Sequence, residues 1–167
     1  MAARRILQLG DPILRSVSVP IAAKQAGEVI RDLEDTLAEF RRTHGFGRAI
    51  SAIQIDSAVR VIFMQVDGVR YELINPELTW RSPDLFALWD DCFSFPNLMV
   101  RLQRHCGVRL RYTLVDGSSA EIAASGALAE LLQHEMDHLD GVLAVDRAMD
   151  RNSYCTREEW LRQKSRA

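Results

Sequence analysis

Three parts of the chain have the residue patterns of helices. From about Ala26 to Thr43, apolar residues three or four positions apart are separated by charged ones, which predicts an amphipathic helix. A second helix is predicted from about Gly126 to Leu139, with Gly141 as the residue that ends it. A short third helix is predicted to begin at Thr156, because Thr156 and Glu159 have the spacing of a capping box.

The middle of the chain has the composition and alternation of β-strands. Three segments are rich in β-branched and aromatic residues: Val59 to Val66, Arg70 to Ile74 and Val108 to Asp116. Asp67-Gly68 and Asp116-Gly117 are turn signals, each followed by a further short strand candidate. Because the strands are grouped and do not alternate with helices, the predicted fold class is α+β. No repeat or flexible linker divides the chain, so residues 1–167 are predicted to form a single domain.

Composition and charge narrow the range of functions. The chain is 47% hydrophobic and 26% charged, and its 21 Lys and Arg nearly balance 23 Asp and Glu, for a formal net charge of −2. This balance predicts neither a nucleic-acid partner nor an acidic membrane surface. No stretch approaches the roughly 20 apolar residues that span a bilayer, and the N-terminus has no apolar signal region, so a cytoplasmic location is predicted. Three cysteines at irregular spacing argue against a disulfide framework.

The strongest chemical signal is the run from His134 to His138. On a helix, two histidines four residues apart lie one turn apart on the same face, where both imidazoles can bind one metal ion. Glu135, next to the first histidine, can act as a general base toward water that the metal activates. This pattern predicts a metallohydrolase.

A catalytic metal site normally needs a third protein ligand. No histidine follows His138, so the metzincin pattern with a third downstream histidine does not apply. Asp146 and Asp150 could supply a carboxylate oxygen, and Cys92 could supply a thiolate, which is a strong ligand for zinc or iron. Residue types and spacing alone leave these alternatives open.

Three stretches together resemble the signatures of the peptide deformylase family. The segment from Gln133 to Gly141 matches every fixed position of that family's third signature, which contains the two histidines. The segment from Asp90 to Ser94 is similar to the second signature, Glu-Gly-Cys-Leu-Ser, and lies at a similar distance before the third. The segment from Gly47 to Gln54 is similar to the first signature, Gly-x-Gly-Leu-Ala-Ala-x-Gln, with the first Gly, the second Ala and the Gln retained. The resemblance therefore covers nearly the whole chain.

The resemblance implies a metal-dependent amide hydrolase that removes the N-formyl group from the N-terminal formylmethionine of nascent polypeptides. The metal ligands would be Cys92, His134 and His138, and the ion would be Fe²⁺ in preference to Zn²⁺ or Ni²⁺. The fold would have antiparallel β-sheets packed around a central metal-binding helix, with an N-terminal helix and a short C-terminal helix. The partner would be an N-formylated peptide, and the resemblance indicates no oligomeric state.

The resemblance also assigns roles to residues around the metal. Glu135 would be the general acid and base, while the Gln54 side chain and the backbone N–H of Phe93 would stabilise the developing oxyanion. Four further residues would contact the substrate: Gly47, Ala49, Asp90 and Glu130.

Several residues depart from the family pattern near these positions. Ala49 stands where the family has its second Gly, and it places a Cβ where the substrate backbone should pass. Asp91 replaces the Gly before the cysteine, at a position that favours Gly if the backbone has a positive φ. Asp90 is one methylene shorter than the family's Glu, and Met99 aligns with a substrate-contacting Arg.

Glu130 is the departure with the largest expected consequence. It lies four residues before His134 on the same helix face, where the family keeps an apolar residue that lines the pocket for methionine. A carboxylate there would disfavour methionine unless it is paired, and Arg48 is a candidate partner. The other interpretation is that Glu130 points into solvent at the pocket rim.

Three functions compete at this stage. The first is deformylation of formylmethionine peptides. The second is a deformylase-like paralogue with an altered acyl-amine substrate or a non-catalytic metal-binding role. The third is an unrelated zinc protease in which Asp146 takes the place of Cys92. The intact run around Glu135 favours the first, since a protein that only binds metal needs no general base.

Overall fold

The computed structural model describes residues 3–166, which form three α-helices and eight strands. The helices are α1 (Gly27–His44), α2 (Gly126–Leu139) and α3 (Arg157–Lys164). The strands are β1 (Ala49–Ser51), β2 (Val61–Val66), β3 (Val69–Arg81), β4 (Leu85–Asp91), β5 (Leu98–His105), β6 (Gly107–Thr113), β7 (Ser119–Ser125) and β8 (Tyr154–Thr156). Four short 3₁₀ helices connect them, at Pro12–Arg15, Ala23–Gln25, Ala52–Ile55 and Ala144–Arg147.

The strands form two antiparallel sheets. The larger sheet has the order β1-β2-β3-β6-β7, and the smaller sheet has the order β4-β5-β8. In the smaller sheet, Asp91 at the end of β4 is opposite Met99, which in turn is opposite Cys155 of β8. This arrangement confirms the prediction of an α+β fold with antiparallel sheets.

Helix α2 lies between the two sheets and contacts strands of both. Its apolar residues, among them Leu132 and Met136, pack against Ile62, Met64 and Leu73 of the larger sheet. Every residue from Ala129 to Leu139 is buried, so the helix that carries the two histidines is enclosed on all sides. Burying a polar side chain costs free energy unless it is hydrogen-bonded, so each charged residue of this helix needs a hydrogen-bond or ion-pair partner.

Helix α1 covers another part of the larger sheet. It buries Ile30, Leu33, Leu37 and Phe40, the apolar row that the sequence pattern indicated. The hydrophobic effect stabilises this contact, at roughly 25 cal/mol for each Å² of apolar surface removed from water. Helix α1 thereby supports β1, the strand that lines one side of the site described below.

The three predicted helices are confirmed within one or two residues. Thr156 caps α3 by accepting a hydrogen bond from the Glu159 N–H, as the capping-box spacing predicted. After α2, Gly141 has a φ of 71°, and a Cβ there would lie 2.5 Å from the Arg15 carbonyl oxygen. Only glycine therefore allows the chain to leave the helix at this point. No helix within residues 3–166 combines the length and apolar character needed to span a bilayer.

The smaller sheet and the length of β3 were not predicted. In β5 the inward-facing row contains Val100 and Leu102 but continues with buried Arg104, so a charged residue interrupts the hydrophobic alternation. Strand β3 continues past Ile74 through a bulge at Asn75, whose φ is 50°. The Asn75 side chain holds this conformation by hydrogen bonds to both backbone polar groups of Ile21.

Candidate metal centre and adjoining pocket

Three buried side chains converge between α2 and the loop after β4. His134 and His138 lie one turn apart on α2, and Cys92 follows the last residue of β4. The His138 Nε2 atom lies 3.2 Å from the Cys92 Sγ atom and 3.2 Å from the His134 Nε2 atom. All three ligand atoms lie within 4.8 Å of one another. Cys92 is therefore the third member of the cluster.

The chemistry of this cluster fits a divalent metal ion. One sulfur and two imidazole nitrogens form a mixed donor set that suits zinc or iron. Two Nε2 atoms facing each other and a sulfur inside a buried site cannot all be satisfied by shared protons, whereas one cation would satisfy the three together. The other candidate ligands are engaged elsewhere: Asp146 binds Arg15 and the Leu143 N–H, and the Asp150 carboxylate accepts hydrogen bonds from Ser153 and the Asn152 N–H.

Asp90 orients the imidazole ring of His134 through the Nδ1 atom of that ring. Its Oδ2 atom lies 3.0 Å from the His134 Nδ1 atom and accepts a 3.0 Å hydrogen bond from Arg104. A histidine whose Nδ1 is held by a carboxylate presents its Nε2 to a metal in a defined direction. The shorter side chain of Asp90 therefore reaches its partners. Asp90 lines the pocket described below, but its carboxylate is bound to His134 and Arg104.

A line of buried charges continues from Asp90 toward the surface. Arg104 also binds Asp137 of α2, and Asp137 binds the half-exposed Arg147. Asp90 and Arg104 have side chains that are only 2% and 3% exposed. A buried charge is costly without a partner, so each charged residue in this line needs its neighbour as a counter-charge. The sequence offered one signal for this line, the charged residue at the inward position of β5.

The charges of this network perturb the pKa values of its members in the metal-free protein. Burial alone would raise the pKa of Asp90, but the charges and hydrogen bonds of His134 and Arg104 lower it to about 2. Burial lowers the pKa of His138 well below its usual value, and the nearby charge of His134 lowers it further. Burial therefore favours the neutral form of the His138 imidazole.

Glu135 lies beside the ligands, buried and held by one side chain. The Ser51 hydroxyl donates a hydrogen bond to its carboxylate, and Ser51 also lies 3.1 Å from the Glu135 carbonyl oxygen. Burial raises the pKa of the Glu135 carboxyl. A raised pKa suits a group that must first accept and then release a proton near neutral pH. Ser51, which stands where the family pattern has an alanine, was not identified from the sequence.

Gln54 and Phe93 lie next to Cys92 in the site. The Gln54 side chain accepts a hydrogen bond from the Ser51 N–H at 3.0 Å and donates to the Ser94 hydroxyl at 3.2 Å. Its Nε2 atom is also 3.7 Å from the Cys92 sulfur. Within residues 3–166, no group accepts a hydrogen bond from the backbone N–H of Phe93. Both donors predicted for the oxyanion are therefore adjacent to Cys92.

A cavity of about 390 Å³ opens beside His134 and Glu135. Gly47, Ala49 and Phe93 are among the residues that line it. Gly47 has a φ of 128°, and a Cβ there would lie 2.6 Å from the ring of Phe93. A side chain at this position would clash with that ring, so the close approach of the two segments requires glycine.

Glu130 lines this cavity and does not point into solvent. The residue is 6% exposed, and its Oε2 atom accepts a 3.0 Å hydrogen bond from Arg48, whose side chain is 41% exposed. Arg48 also donates to the carbonyl of Ala127 at 3.3 Å. Burial raises the pKa of Glu130, and the nearby charge of Asp90 adds to the rise. The predicted pairing of Glu130 with Arg48 is thus present.

A second ion pair lines the same cavity. Arg157, the first residue of α3, binds the Asp91 carboxylate and donates a hydrogen bond to the Pro96 carbonyl at 2.6 Å. Its guanidinium also lies 4.0 Å from the centre of the Phe46 ring. Asp91 does not have a positive φ, so its backbone does not require glycine. Arg157 was missed because only the folded chain brings α3 to this loop.

Met99, which aligns with a substrate-contacting arginine of the family, is a buried residue in this chain. It is 2% exposed and sits inside the smaller sheet between Asp91 and Cys155. It is absent from the described residues that line the cavity, where Arg157 provides the positive charge on this side.

The buried Cys–His–His cluster with an adjacent glutamate defines a metallohydrolase of the His-Glu-x-x-His class. The family model for polypeptide deformylases matches residues 3–154. A peptide deformylase from Bartonella tribocorum is 35% identical over 153 residues, covering 87% of this chain and 84% of the relative. One from Rhodopseudomonas palustris is 39% identical over 155 residues, covering 87% of this chain and 86% of the relative.

Solved structures agree with these relatives. A peptide deformylase from Thermotoga maritima matches with a TM-score of 0.82 and 29% identity, over 90% of this chain and 100% of that chain. One from Synechococcus elongatus, in complex with actinonin, matches with a TM-score of 0.82 and 29% identity, over 89% of this chain and 80% of that one. This chain belongs to the polypeptide deformylase family. The predictions of a deformylase-type hydrolase and of its metal dependence are confirmed.

Proposed function

We propose that this chain removes the formyl group from the N-terminal formylmethionine of nascent polypeptides, as a single catalytic domain. The observation that carries the proposal is the convergence of Cys92, His134 and His138 next to Glu135, with a cavity of about 390 Å³ lined by His134 and Glu135. Membership in the deformylase family supports the choice of a formyl amide as the bond that is hydrolysed.

The three converging residues would hold the metal, with His134 oriented by Asp90. A divalent ion held there supplies Lewis acidity toward water and toward the formyl oxygen. We favour Fe²⁺ as the resident ion on the family resemblance, with Zn²⁺ or Ni²⁺ as other occupants, because the mixed sulfur and nitrogen ligands suit all three. Asp90 acts in this scheme as a positioning residue for His134.

Glu135 would move the protons of the reaction. Its carboxylate accepts a proton from water as the water oxygen attacks the formyl carbon. It then delivers that proton to the departing amide nitrogen as the C–N bond breaks. One water and one formyl amide thus give formate and a peptide with a free amino terminus. Ser51 keeps the carboxyl in place between the two steps.

Gln54 and the Phe93 N–H would stabilise the negative charge that develops on the formyl oxygen. Both donors are adjacent to Cys92, and the Phe93 N–H has no competing acceptor within residues 3–166. Preformed donors of this kind contribute roughly 100- to 1,000-fold to turnover in other acyl-transfer sites.

The proposed substrate also suggests where the protein acts. Nascent polypeptides emerge in the cytoplasm, so we propose a cytoplasmic location for this enzyme. The near balance of acidic and basic residues supports a peptide partner in preference to a nucleic acid. We expect its partner to be the formylated peptide itself.

The test is formate release from formyl-Met-Ala-Ser by protein loaded anaerobically with Fe²⁺, and in parallel with Zn²⁺ or Ni²⁺. We expect turnover with each ion, highest with Fe²⁺, and a loss of about 1,000-fold or more in Glu135→Ala at unchanged metal content. Glu77→Ala is the matched control, because Glu77 pairs with Arg111 on an exposed face of the larger sheet. Full metal binding without formate release would instead support the alternative paralogue, with an altered acyl-amine substrate or a non-catalytic metal-binding role.

A further inference from the structure

Arg157 connects two separate segments of the chain that line the cavity. Its backbone N–H donates to the Asn97 carbonyl at 2.8 Å, and its Nε atom donates to the Pro96 carbonyl at 2.6 Å. The guanidinium also binds the Asp91 carboxylate and lies over the ring of Phe46, on the segment that leads into β1. Arg157, Asp91 and Phe46 line the cavity together, so these contacts hold the guanidinium beside it.

The packing of α3 does not account for this position. None of the eight residues of α3 is buried, and Leu161 is 52% exposed. A helix that buries no apolar face gains little from the hydrophobic effect. Its N-terminal end is held by the pairing of β8 with β5 and by the contacts of Arg157. Among the described residues of α3, only Arg157 lines the cavity.

The Arg157 guanidinium has N–H groups that its protein partners do not use. An arginine side chain has five N–H donors, and the hydrogen bonds to Pro96 and Asp91 use its Nε and Nη2 atoms. No group within residues 3–166 accepts a hydrogen bond from its Nη1 atom. The side chain lines the cavity and is 20% exposed, so these donors are accessible to water. A bound molecule with a suitable acceptor can take the place of that water.

A formyl peptide has acceptors of the required kind. Each residue after the formyl amide adds one backbone carbonyl oxygen, whatever its side chain is. The metal centre and Arg157 share one cavity, because His134 and Glu135 line it as well. A formyl group at these residues is followed by one carbonyl for roughly every 3.5 Å of extended chain, so a backbone carbonyl is available within a cavity of about 390 Å³.

We propose that Arg157 is a substrate-binding residue whose guanidinium donates a hydrogen bond to a backbone carbonyl of the formyl peptide, beyond the formyl amide. This inference rests on the proposed deformylase activity and deepens it, because it adds recognition of the peptide main chain and leaves the first side chain unrestricted. The contacts with Asp91, Pro96 and Phe46 hold the guanidinium in place before the substrate binds, so little side-chain entropy is lost. The positive charge strengthens the hydrogen bond.

The test compares two substrates that share the side chain of methionine. Formyl-Met-Ala-Ser has backbone carbonyls beyond the formyl amide, and the formyl derivative of decarboxylated methionine has none. In Arg157→Met we expect the peptide-to-amine ratio of kcat/KM to fall by about 10- to 100-fold, mainly through a higher KM for the peptide. Arg162→Met is the matched control, because Arg162 pairs with Glu159 on the exposed surface of the same helix, and it should leave the ratio unchanged.

A purely structural role of Arg157 gives a different result. If Arg157 only holds the loop after β4, its loss disturbs the site for both substrates, and kcat/KM falls by the same factor for each. Arg157→Lys keeps the charge without the planar fork of donors, so we expect its ratio to lie between those of the wild type and Arg157→Met. An unchanged ratio in Arg157→Met, whether both values of kcat/KM fall together or neither falls, overturns the inference.

Binding measurements separate this inference from the proposed function. Calorimetric titration of formyl-Met-Ala-Ser into metal-loaded Glu135→Gln reports affinity without turnover. A peptide Kd that rises by about tenfold or more on adding Arg157→Met, with the Kd of the formylated amine unchanged, supports the inference even where no variant releases formate. A peptide Kd that Arg157→Met does not change overturns it, even where the wild-type protein is an active deformylase.

Discussion

The metal centre and the pocket beside it use charged side chains in opposite ways. Behind the metal ligands, Asp90 and Arg104 are almost completely buried and are bound on both sides. In the pocket, Glu130 is buried, but its partner Arg48 is half-exposed. The Asp90 and Arg104 side chains are held in one arrangement, because breaking either ion pair would leave a buried charge without a partner. The Arg48–Glu130 pair is accessible to water only on its Arg48 side, while the Glu130 carboxylate is buried.

This difference separates the two tasks of the enzyme. The buried network orients His134 at the metal centre, and the Arg48–Glu130 pair lines the cavity beside it. We therefore expect changes behind the metal to affect metal binding and folding strongly, and changes in the pocket to affect substrate binding, with a smaller effect on stability. Three measurements test this contrast further, apart from the two assays already described.

The largest effect is expected at Cys92. Removing its thiolate in Cys92→Ala leaves two protein ligands, and we expect metal affinity to fall by well over the 10- to 100-fold that outer-shell changes produce. The measurement is metal content by elemental analysis after dialysis against a weak chelator. Cys155→Ala is the matched control, because Cys155 is a free cysteine in β8 outside the ligand cluster. Retention of metal in Cys92→Ala would show that another residue completes the site.

The next effect is expected at Arg104. Arg104→Met leaves Asp90 and Asp137 without their shared partner, and we expect a loss of about 3–5 kcal/mol in the free energy of unfolding. Urea denaturation of the metal-free protein measures this without the contribution of metal binding. The control is Arg111→Met, which breaks an exposed ion pair with Glu77 and should cost at most about 1 kcal/mol. Equal losses in the two variants would contradict the contrast between buried and exposed pairs.

The smallest effect is expected from the charge of Glu130. Burial raises the pKa of Glu130, so the folded protein holds this proton more tightly than the unfolded chain does. Its contribution to stability is therefore greatest below the usual pKa of glutamate and declines as the pH rises through the folded value. Glu130→Gln removes the decline, so we expect its Tm to exceed the wild-type Tm at pH 7 by about 2–4 °C and to converge with it near pH 4.

Thermal unfolding between pH 4 and pH 8 measures the sign of the Tm difference between Glu130→Gln and the wild-type protein. Glu77→Gln serves as the control, because an exposed glutamate should give no comparable pH dependence in the difference. A wild-type protein that is the more stable at pH 7 would show that the Arg48 pair outweighs the cost of burying the Glu130 charge.

The elements of the fold that were predicted are those with a strong local period. Helices α1 and α2 were found because apolar residues repeat at helical spacing, and the hairpin turns because Asp-Gly pairs favour them. The smaller sheet was missed because its inward row contains Arg104, whose burial makes sense only with Asp90 and Asp137 beside it. Local patterns cannot show a charge that is satisfied by distant residues.

The sequence by itself determined the helix, the two histidines on one of its faces and the glutamate between them, because a helical repeat places residues four apart together whatever surrounds them. Residue spacing left the third ligand open, and only the family resemblance implied Cys92. Tertiary structure brings Cys92 to the histidines while Asp146 pairs with Arg15, and it turns Glu130 into the cavity toward Arg48. It also decided that Arg157 reaches Asp91 across 66 residues of chain. Such contacts depend on how the sheets and helices pack, and packing of distant segments has no signature in the spacing of neighbouring residues.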